Sequence, residues 1–536
     1  IMADPTPAVY LPEAEYLEIH NRSGHAINLK DWKLVVGNRE WILPGIKLEP
    51  GGYHFFCHGD SYLHYSDKLT FSPVFSTSSV ISNEEQAIAL YTPGMEVIDA
   101  LEYSVSWYNG EFKSEGGWSL ERTDMQNTCG GREIWKPSTD FSGGTPGRIN
   151  SVNELVADND PPFIRQVIYE GESTYLLRFN EVLDKEFFEE VRETILNESE
   201  FIHRIDFPGP FYKECRIELD TPAEYKEFGF QNVWKDCSGN ISGVPENVIF
   251  SSPEIVSACE ILISEVLFSP WPGCSEFIEL YNSSEKVFSL NDLKLSVSSS
   301  NEPASGGKLI SKENILFYPG MYLILSRDPT VLGSFYNVPE RAGVLQVNDL
   351  PALSNSGAKI ALFNRGDILV DEFVYTPENH FPLLADMHGV SLERISLEKV
   401  PGSSSQWHSA SSLAGFATPG YQNSQYVEAG YYEKSLSVEE KLFTPDNDGI
   451  NDVAVIRIKM EKEGYVAMIR VFDAGGRLRK TLGYNELLGT NDRVFWDGRD
   501  DGGGLCESGI YLIHLDAWHL SGKRKVLKET VVLGRR

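Results

Sequence analysis

The feature that most constrains this chain is a long-period internal repeat. The run Glu15-Tyr-Leu-Glu18-Ile-His-Asn21-Arg-Ser23 returns as Glu276-Phe-Ile-Glu279-Leu-Tyr-Asn282-Ser-Ser284. Four more landmarks follow each run in the same order. Leu29…Trp32-Lys-Leu34 answers to Leu290…Leu293-Lys-Leu295, and Pro50-Gly51-Gly-Tyr53 to Pro319-Gly320-Met-Tyr322. Ser119-Leu-Glu-Arg122 answers to Ser391-Leu-Glu-Arg394, and Trp135…Thr145-Pro-Gly147 to Trp407…Thr418-Pro-Gly420. The offset grows from 261 residues at Glu15/Glu276 to 273 at Thr145/Thr418. Repetition of ordered landmarks at this period means two copies of one folding unit.

Within each copy the local signals are those of strands. Tyr16, Glu18 and His20 alternate with Leu17 and Ile19, the period of a half-buried strand. Pro50-Gly51-Gly52 marks a turn before Tyr53-His-Phe-Phe-Cys57. Aromatic residues make up 12% of the 536-residue chain, and its 46 Gly and 28 Pro favour short strands joined by tight turns. The expected fold is all-β: tandem Ig-like β-sandwich domains at 1–150, 151–258, 259–425 and 426–536. One short helix, Asp184 to Asn197, falls in the second domain, with Phe187, Phe188, Val191 and Ile195 on one face.

Charge and cysteine usage narrow the function. A net charge of −31 repels phosphate backbones and disfavours nucleic acid as a partner. The seven cysteines form no C-x-x-C pair, and an odd count cannot pair fully within the chain. Cys215 with Cys237 and Cys259 with Cys274 are close enough in sequence to pair; buried thiols are the alternative. No apolar run approaches the ~20 residues of a membrane helix. The opening Ile1-Met-Ala-Asp-Pro5 reads as the inside of a mature domain, so a signal peptide is expected to have been removed.

Both copies resemble the lamin-tail domain, an Ig-like sandwich found in nuclear lamins and in many secreted bacterial proteins. The resemblance rests on Met2-Ala-Asp-Pro5, the Glu-aromatic-aliphatic-Glu strand, Trp32-Lys-Leu34, the Pro-Gly turn, Ser-Leu-Glu-Arg and Thr-Pro-Gly. The first copy lacks the very first strand residues of that pattern. The second has Leu293 in place of the Trp and opens on Ser264-Glu-Val-Leu-Phe-Ser-Pro270. Between the copies, Asn180-Glu-Val-Leu-Asp184 and Asp236-Cys-Ser-Gly-Asn240 resemble bacterial Ig-like repeats. The last segment carries Phe443-Thr-Pro-Asp446-Asn-Asp448-Gly-Ile-Asn451-Asp452, Trp496-Asp-Gly-Arg499 and Ser508-Gly-Ile-Tyr511. It resembles hook-capping Ig-like domains and the gliding-type C-terminal modules of Bacteroidota secreted proteins. That resemblance implies a cell-surface or secreted protein and, as partners, outer-membrane components of the type IX secretion and gliding machinery.

Few residues suggest chemistry. Asp446, Asp448 and Asp452 alternate around Gly449 and could supply hard oxygen ligands to Ca²⁺, the only cofactor the sequence suggests. The alternative is a turn capped by its own carboxylates. His54, Cys57, His58 and His64 have zinc-ligand chemistry, but the second copy has Leu323, Ser326, Arg327 and Gly333 at the equivalent places, which favours ordinary hydrogen-bonded histidines. Glu15 and Glu18 lie on opposite faces of a strand and recur as Glu276 and Glu279, which indicates scaffold rather than acid–base catalysis. Ser-Leu-Glu-Arg is expected to supply a structural Glu or Arg contact. No nucleophile elbow, zinc-protease helix, phosphate loop or dinucleotide fingerprint occurs. The expected function is therefore non-catalytic binding, adhesion or secretion-linked assembly. Glycan or matrix binding through exposed aromatics such as Tyr431, Tyr432 and Tyr484 is the alternative, and an accessory part of a secreted hydrolase comes third.

Overall fold

The alternation at Tyr16–His20 is realised as a strand that pairs antiparallel with Tyr53–His58, Leu17 opposite Phe56 and Ile19 opposite His54. The computed structural model describes residues 1–63, 65, 70–108, 112–127, 131–155, 157–243, 245–299, 306–396, 406–427 and 435–535. The chain is all-β, and the α-helix among these residues is Lys185–Glu198. The chain divides into two compact units, Ile1–Ser252 and Pro253–Arg536.

In the first unit, one sheet of the first copy joins Tyr16–His20, Tyr53–His58 and Phe71–Phe75. A second runs Arg39–Ile42, Lys33–Val36, Glu85–Tyr91, Val97–Ser104. Their inward side chains, among them Leu17, Leu34, Val36, Phe56, Ile88 and Tyr103, form one core. The following domain has a four-stranded sheet, Ile164–Gly171, Thr174–Phe179, Glu214–Leu219 and Ile202–Asp206, and a hairpin of Lys226–Phe230 with Glu246–Phe250. Its centre is Trp234, 1% exposed, packed against Phe179, Phe188 and Phe230 at ring separations of 4.8, 6.3 and 5.0 Å. Rings of this size carry much of the apolar burial in a small core. The helix buries Phe188 and Ile195, while Phe187 and Val191 are partly buried. Asp184 caps it, accepting from the amides of Glu186 and Phe187 at 3.0 and 3.1 Å.

In the second unit, the second copy is more continuous than the first. Six strands join in the order Gly343–Gln346, Tyr322–Ser326, Phe277–Asn282, Ile261–Leu267, Leu392–Arg394, Trp407–Ser409. A four-stranded sheet, Lys308–Leu309, Leu293–Ser298, Ala358–Asn364 and Leu369–Tyr375, completes it. The last domain is a sandwich of three strands (Leu436–Val438, Ala454–Lys459, Asn491–Trp496) and five (Leu442–Phe443, Arg524–Leu533, Gly509–His519, Tyr465–Asp473, Leu478–Leu487). Ile456, Ile458, Tyr465, Ile469, Trp496 and Ile513 lie in its core.

Two pairings that sequence proximity allows do not form. Cys215 and Cys274 are thiols, both pushed up in pKa by burial, Cys274 to about 11. Cys237 is disulfide-bonded, and Cys129 lies outside the described residues. Cys215 is buried near the start of Glu214–Leu219, and for it the buried-thiol alternative holds.

The cap at Asp184 is a single, testable joint. Asp184→Ala should destabilise the helix by about 1 kcal/mol. Amide exchange should then accelerate across Lys185–Glu198, while the strand Ile261–Leu267 in the other unit is unaffected.

Candidate functional site

The repeated motifs become intelligible as hydrogen bonds. In each copy the Asn after the Glu-rich strand folds the next loop onto itself. Asn21 Nδ2 donates to the carbonyls of His25 and Leu48 at 2.9 and 3.0 Å; Asn282 Nδ2 donates to those of Lys286 and Phe317 at the same two distances. The Pro-Gly turn closes against the same residue. Gly51 and Gly320, at φ 70° and 73°, donate to the carbonyls of Asn21 and Asn282 at 2.8 and 2.9 Å. That conformation is open to glycine without steric cost.

The glutamates act as fasteners. Glu15 accepts from the amides of Val80 and Ile81, and Glu276 from that of Leu353. Glu18 accepts from the Gly147 amide and Glu279 from the Gly420 amide, each at 2.6 Å, so the second Glu holds the Thr-Pro-Gly segment in both copies. The Glu of Ser-Leu-Glu-Arg holds its threonine: Thr145 Oγ1 donates to Glu121 at 2.7 Å and Thr418 Oγ1 to Glu393 at 2.8 Å. Ser264 adds a bond to Glu279, and Thr418 N one to Glu265 at 2.9 Å. Glu265, Glu279 and Glu393 are wholly buried. Burial pushes Glu279 up to about 8 and Glu18 up to about 7, and holds Glu265 well above the carboxylate range. Glu265, Glu279 and Glu393 are enclosed by backbone amides and hydroxyls, whereas Glu18 and Glu121 of the first copy also line a cavity.

A second constellation also repeats and was not singled out as a set from sequence. Arg122 pairs with Asp99 at 3.1 Å and lies over Trp135 at 5.2 Å; Arg394 pairs with Asp371 at 2.5 Å and lies over Trp407 at 5.2 Å. The shared offset of 272 residues for Asp, Arg and Trp was the available signal, with Asp99 and Asp371 the missing member. Beside the first set lies an apolar cavity of about 300 Å³, bounded by Leu17, Trp32, Leu34, Leu90 and Leu120. Arg122 Nε and Trp135 Nε1 are buried there without a partner. In the second copy the corresponding Arg394 Nε donates to the Ile263 carbonyl at 2.8 Å, and the Ile263 amide to Asp371 at 2.8 Å.

The acidic loop of the last domain brings Asp446, Asp448 and Asp452 to within 4.8 Å of one another through one carboxylate oxygen each. Asp452 accepts from the amides of Asn447 and Gly449 at 2.6 and 2.8 Å, and Asp448 from that of Ile450 at 2.9 Å. Such bonds are those of a self-capped turn, and they engage both Asp452 oxygens. A second acidic group, Asp158, Glu181 and Asp236, joins the two motifs that carry the bacterial Ig-like resemblance. Asp236 is fully buried and bound to the amides of Gly239 and Asn240 at 2.6 and 2.8 Å. His54 bonds Ser72 at 3.0 Å, whereas Cys57 packs among Tyr16, Phe55 and Tyr65. His58 contacts Asp60, and His64 lies outside the described residues, as do Tyr431 and Tyr432. Tyr484 is exposed.

The lamin tail domain family model matches residues 1–104. No curated protein matches the chain. Among solved structures, FlgD from P. aeruginosa is similar at 16% identity over 18% of this chain and 69% of its own, with a TM-score of 0.14. PorZ, a surface component of the type IX secretion system of Porphyromonas gingivalis, is 12% identical over 94% of this chain and 75% of its own, with a TM-score of 0.16. SGBP-B from the mixed-linkage glucan utilization locus of Bacteroides ovatus is 10% identical, covers 92% and 89%, and has a TM-score of 0.16. Similarity of this degree does not assign a function.

The buried glutamates give stability a definite pH dependence. Glu279 holds its proton more tightly folded than unfolded, where a value near 4.5 applies. Its contribution is whole below pH 4.5 and is lost as pH rises through about 8. The Tm of the transition assigned to Pro253–Arg536 should fall between pH 5 and pH 9. Glu279→Gln, which keeps the shape without the titration, should flatten that dependence.

Proposed function

We propose that this chain is a non-catalytic modular protein of the cell surface or secreted space. It acts in binding or adhesion, as a component or partner of the type IX secretion and gliding machinery of the outer membrane, and it docks through its last domain. One observation carries this reading. The solvent face of the five-stranded sheet bears two short apolar rows, offset by two residues on Gly509–His519. Leu442 lies beside Val532, Val532 opposite Ile510, Leu512 opposite Phe472, and Phe472 opposite Leu478. Leu442, Val532, Ile510 and Leu478 are 54, 36, 58 and 48% exposed. Opposite parity on the same strand, Tyr511, Ile513 and Leu515, is buried. An apolar row on the wet side of a sheet costs solubility and marks an interaction surface.

The buried glutamates of the second copy support the non-catalytic part of the reading, because Glu265, Glu279 and Glu393 are engaged by backbone amides and hydroxyls, as structural polar groups are. Among the described residues, no helix is long and apolar enough to cross a membrane.

Crosslinking and affinity purification from outer membranes, read by mass spectrometry, tests this. The double variant Ile510→Lys, Val532→Lys replaces exposed side chains and should leave Tm unchanged. Recovery of secretion and gliding components should fall about tenfold or more, as when a docking hot spot is lost. Equal recovery with the variant would sink the assignment of the docking surface, and recovery of no membrane protein by the wild type would sink the functional reading.

A further inference from the structure

Within Pro253–Arg536, the second repeat copy and the last domain are joined by polar bonds. Thr490 N donates to the Ser424 carbonyl at 2.8 Å, and Gln425 Nε2 to the Leu488 carbonyl at 3.3 Å. Ser411 Oγ meets Asp492 at 3.1 Å, and Ser412 Oγ donates to Glu486 at 2.6 Å. Ser411, Gln425, Thr490 and Asp492 are buried, so breaking their bonds would strand polar groups away from water, whereas Ser412 and Glu486 are partly exposed. Beside the joint lies an open cleft of about 560 Å³.

One wall is the strand Asn491–Trp496. Strict alternation sends Asp492, Val494 and Trp496 inward and leaves Asn491, Arg493 and Phe495 facing solvent. Phe495 is 58% exposed. Cross-strand register sets Lys459 beside Asn491 and Arg457 beside Arg493. The other wall carries Tyr421, Gln422 and Tyr426. Three aromatic side chains alternate here with amides and cations. Flat apolar rings suit the C–H faces of sugar rings, and planar amide and guanidinium groups suit their hydroxyl and carboxyl edges.

The charge in the cleft sets the ligand class. The carboxylate in its lining, Asp492, is buried and turned to Ser411 and to the Gly489 amide at 2.7 Å. Lys459 and Arg493 also line it. Arg493 Nε lies 3.7 Å from Glu439, whose carboxylate is taken more closely by Arg457 at 2.5 Å. On a chain of net charge −31 this is a local cationic spot. Long polyanions such as nucleic acid are repelled by the rest of the surface, whereas a short ligand with one carboxylate per ring meets only the cleft. We infer that the cleft binds an acidic oligosaccharide, a short run of uronic-acid-type sugars, with Phe495, Tyr421 and Tyr426 against the rings and Lys459 and Arg493 on the carboxylates. This deepens the reading of the chain as a binding protein by naming a ligand class and a site remote from the apolar rows.

Isothermal titration of the whole chain with trigalacturonic acid tests it, with maltotriose as the neutral trisaccharide and triglutamate as the acidic peptide. The acidic sugar should bind, and added salt should weaken it. Phe495→Ala and Lys459→Gln should each lower the affinity about tenfold with Tm unchanged; both replace side chains outside the core. Where a variant does shift Tm, the salt dependence and the comparison of the three probes on the wild type decide instead. Absence of binding by trigalacturonic acid, equal binding of maltotriose, or equal binding of triglutamate would each overturn the inference. Loss of sugar binding with undiminished capture of membrane partners would leave the docking reading standing, so the two fail separately.

Discussion

Each repeat copy is held together by carboxylates that reach across the chain to backbone amides. Glu18 and Glu279 grip the glycine of Thr-Pro-Gly from more than a hundred residues away in sequence, and Glu121 and Glu393 grip the threonine. In a buried site, losing one partner of such a bond leaves the other with no water to replace it. The closing loop and the first strand of each copy therefore hold together as a set. The glycine is required on steric grounds as well: Gly147 and Gly420 have φ of 78° and 90°, and a Cβ on Gly420 would lie 2.5 Å from that of Ala342.

The two copies share this frame and differ in how far they dry it. Arg394 and Asp371 are essentially inaccessible, whereas Arg122 and Asp99 retain 11% and 37% side-chain exposure. In the second copy Phe373 stacks on Trp407 at 3.6 Å; the position 272 residues earlier is Leu101, which lines the cavity instead. A buried ion pair is tolerated only when its remaining donors and acceptors are met. In the second copy Ile263 meets part of that demand, its carbonyl accepting from Arg394 Nε and its amide donating to Asp371 Oδ2, while Asp371 Oδ1 is buried without a partner among the described residues.

Legibility from sequence followed the range of the interaction. The strand at Tyr16–His20 and the helix after Asp184 depend on neighbours within a few residues, and both form, although the strand buries Tyr16 and Leu17 alike instead of alternating. The recurrence of Glu, Asn, Pro-Gly, Ser-Leu-Glu-Arg and Thr-Pro-Gly marked the residues that matter but not what they touch. Asp99 and Asp371 stand in strands of unremarkable composition and became visible only beside their arginines. Proximity in sequence misled at Cys215, which is a buried thiol. The apolar rows and the cationic cleft were out of reach because each collects single residues from several strands, and only the register puts them together.

Sequence by itself determined the strand periodicity, the duplication, the turn positions and the strongly acidic balance, because these are properties of short windows or of sums over the chain. Tertiary structure decided which carboxylates are buried fasteners and which are surface charge. It also decided that Ile510 and Val532 share a wet face, and that Lys459 and Arg493 stand together while Asp492 turns away. Those outcomes depend on cross-strand register and on desolvation, and both are set by contacts between residues far apart in the chain.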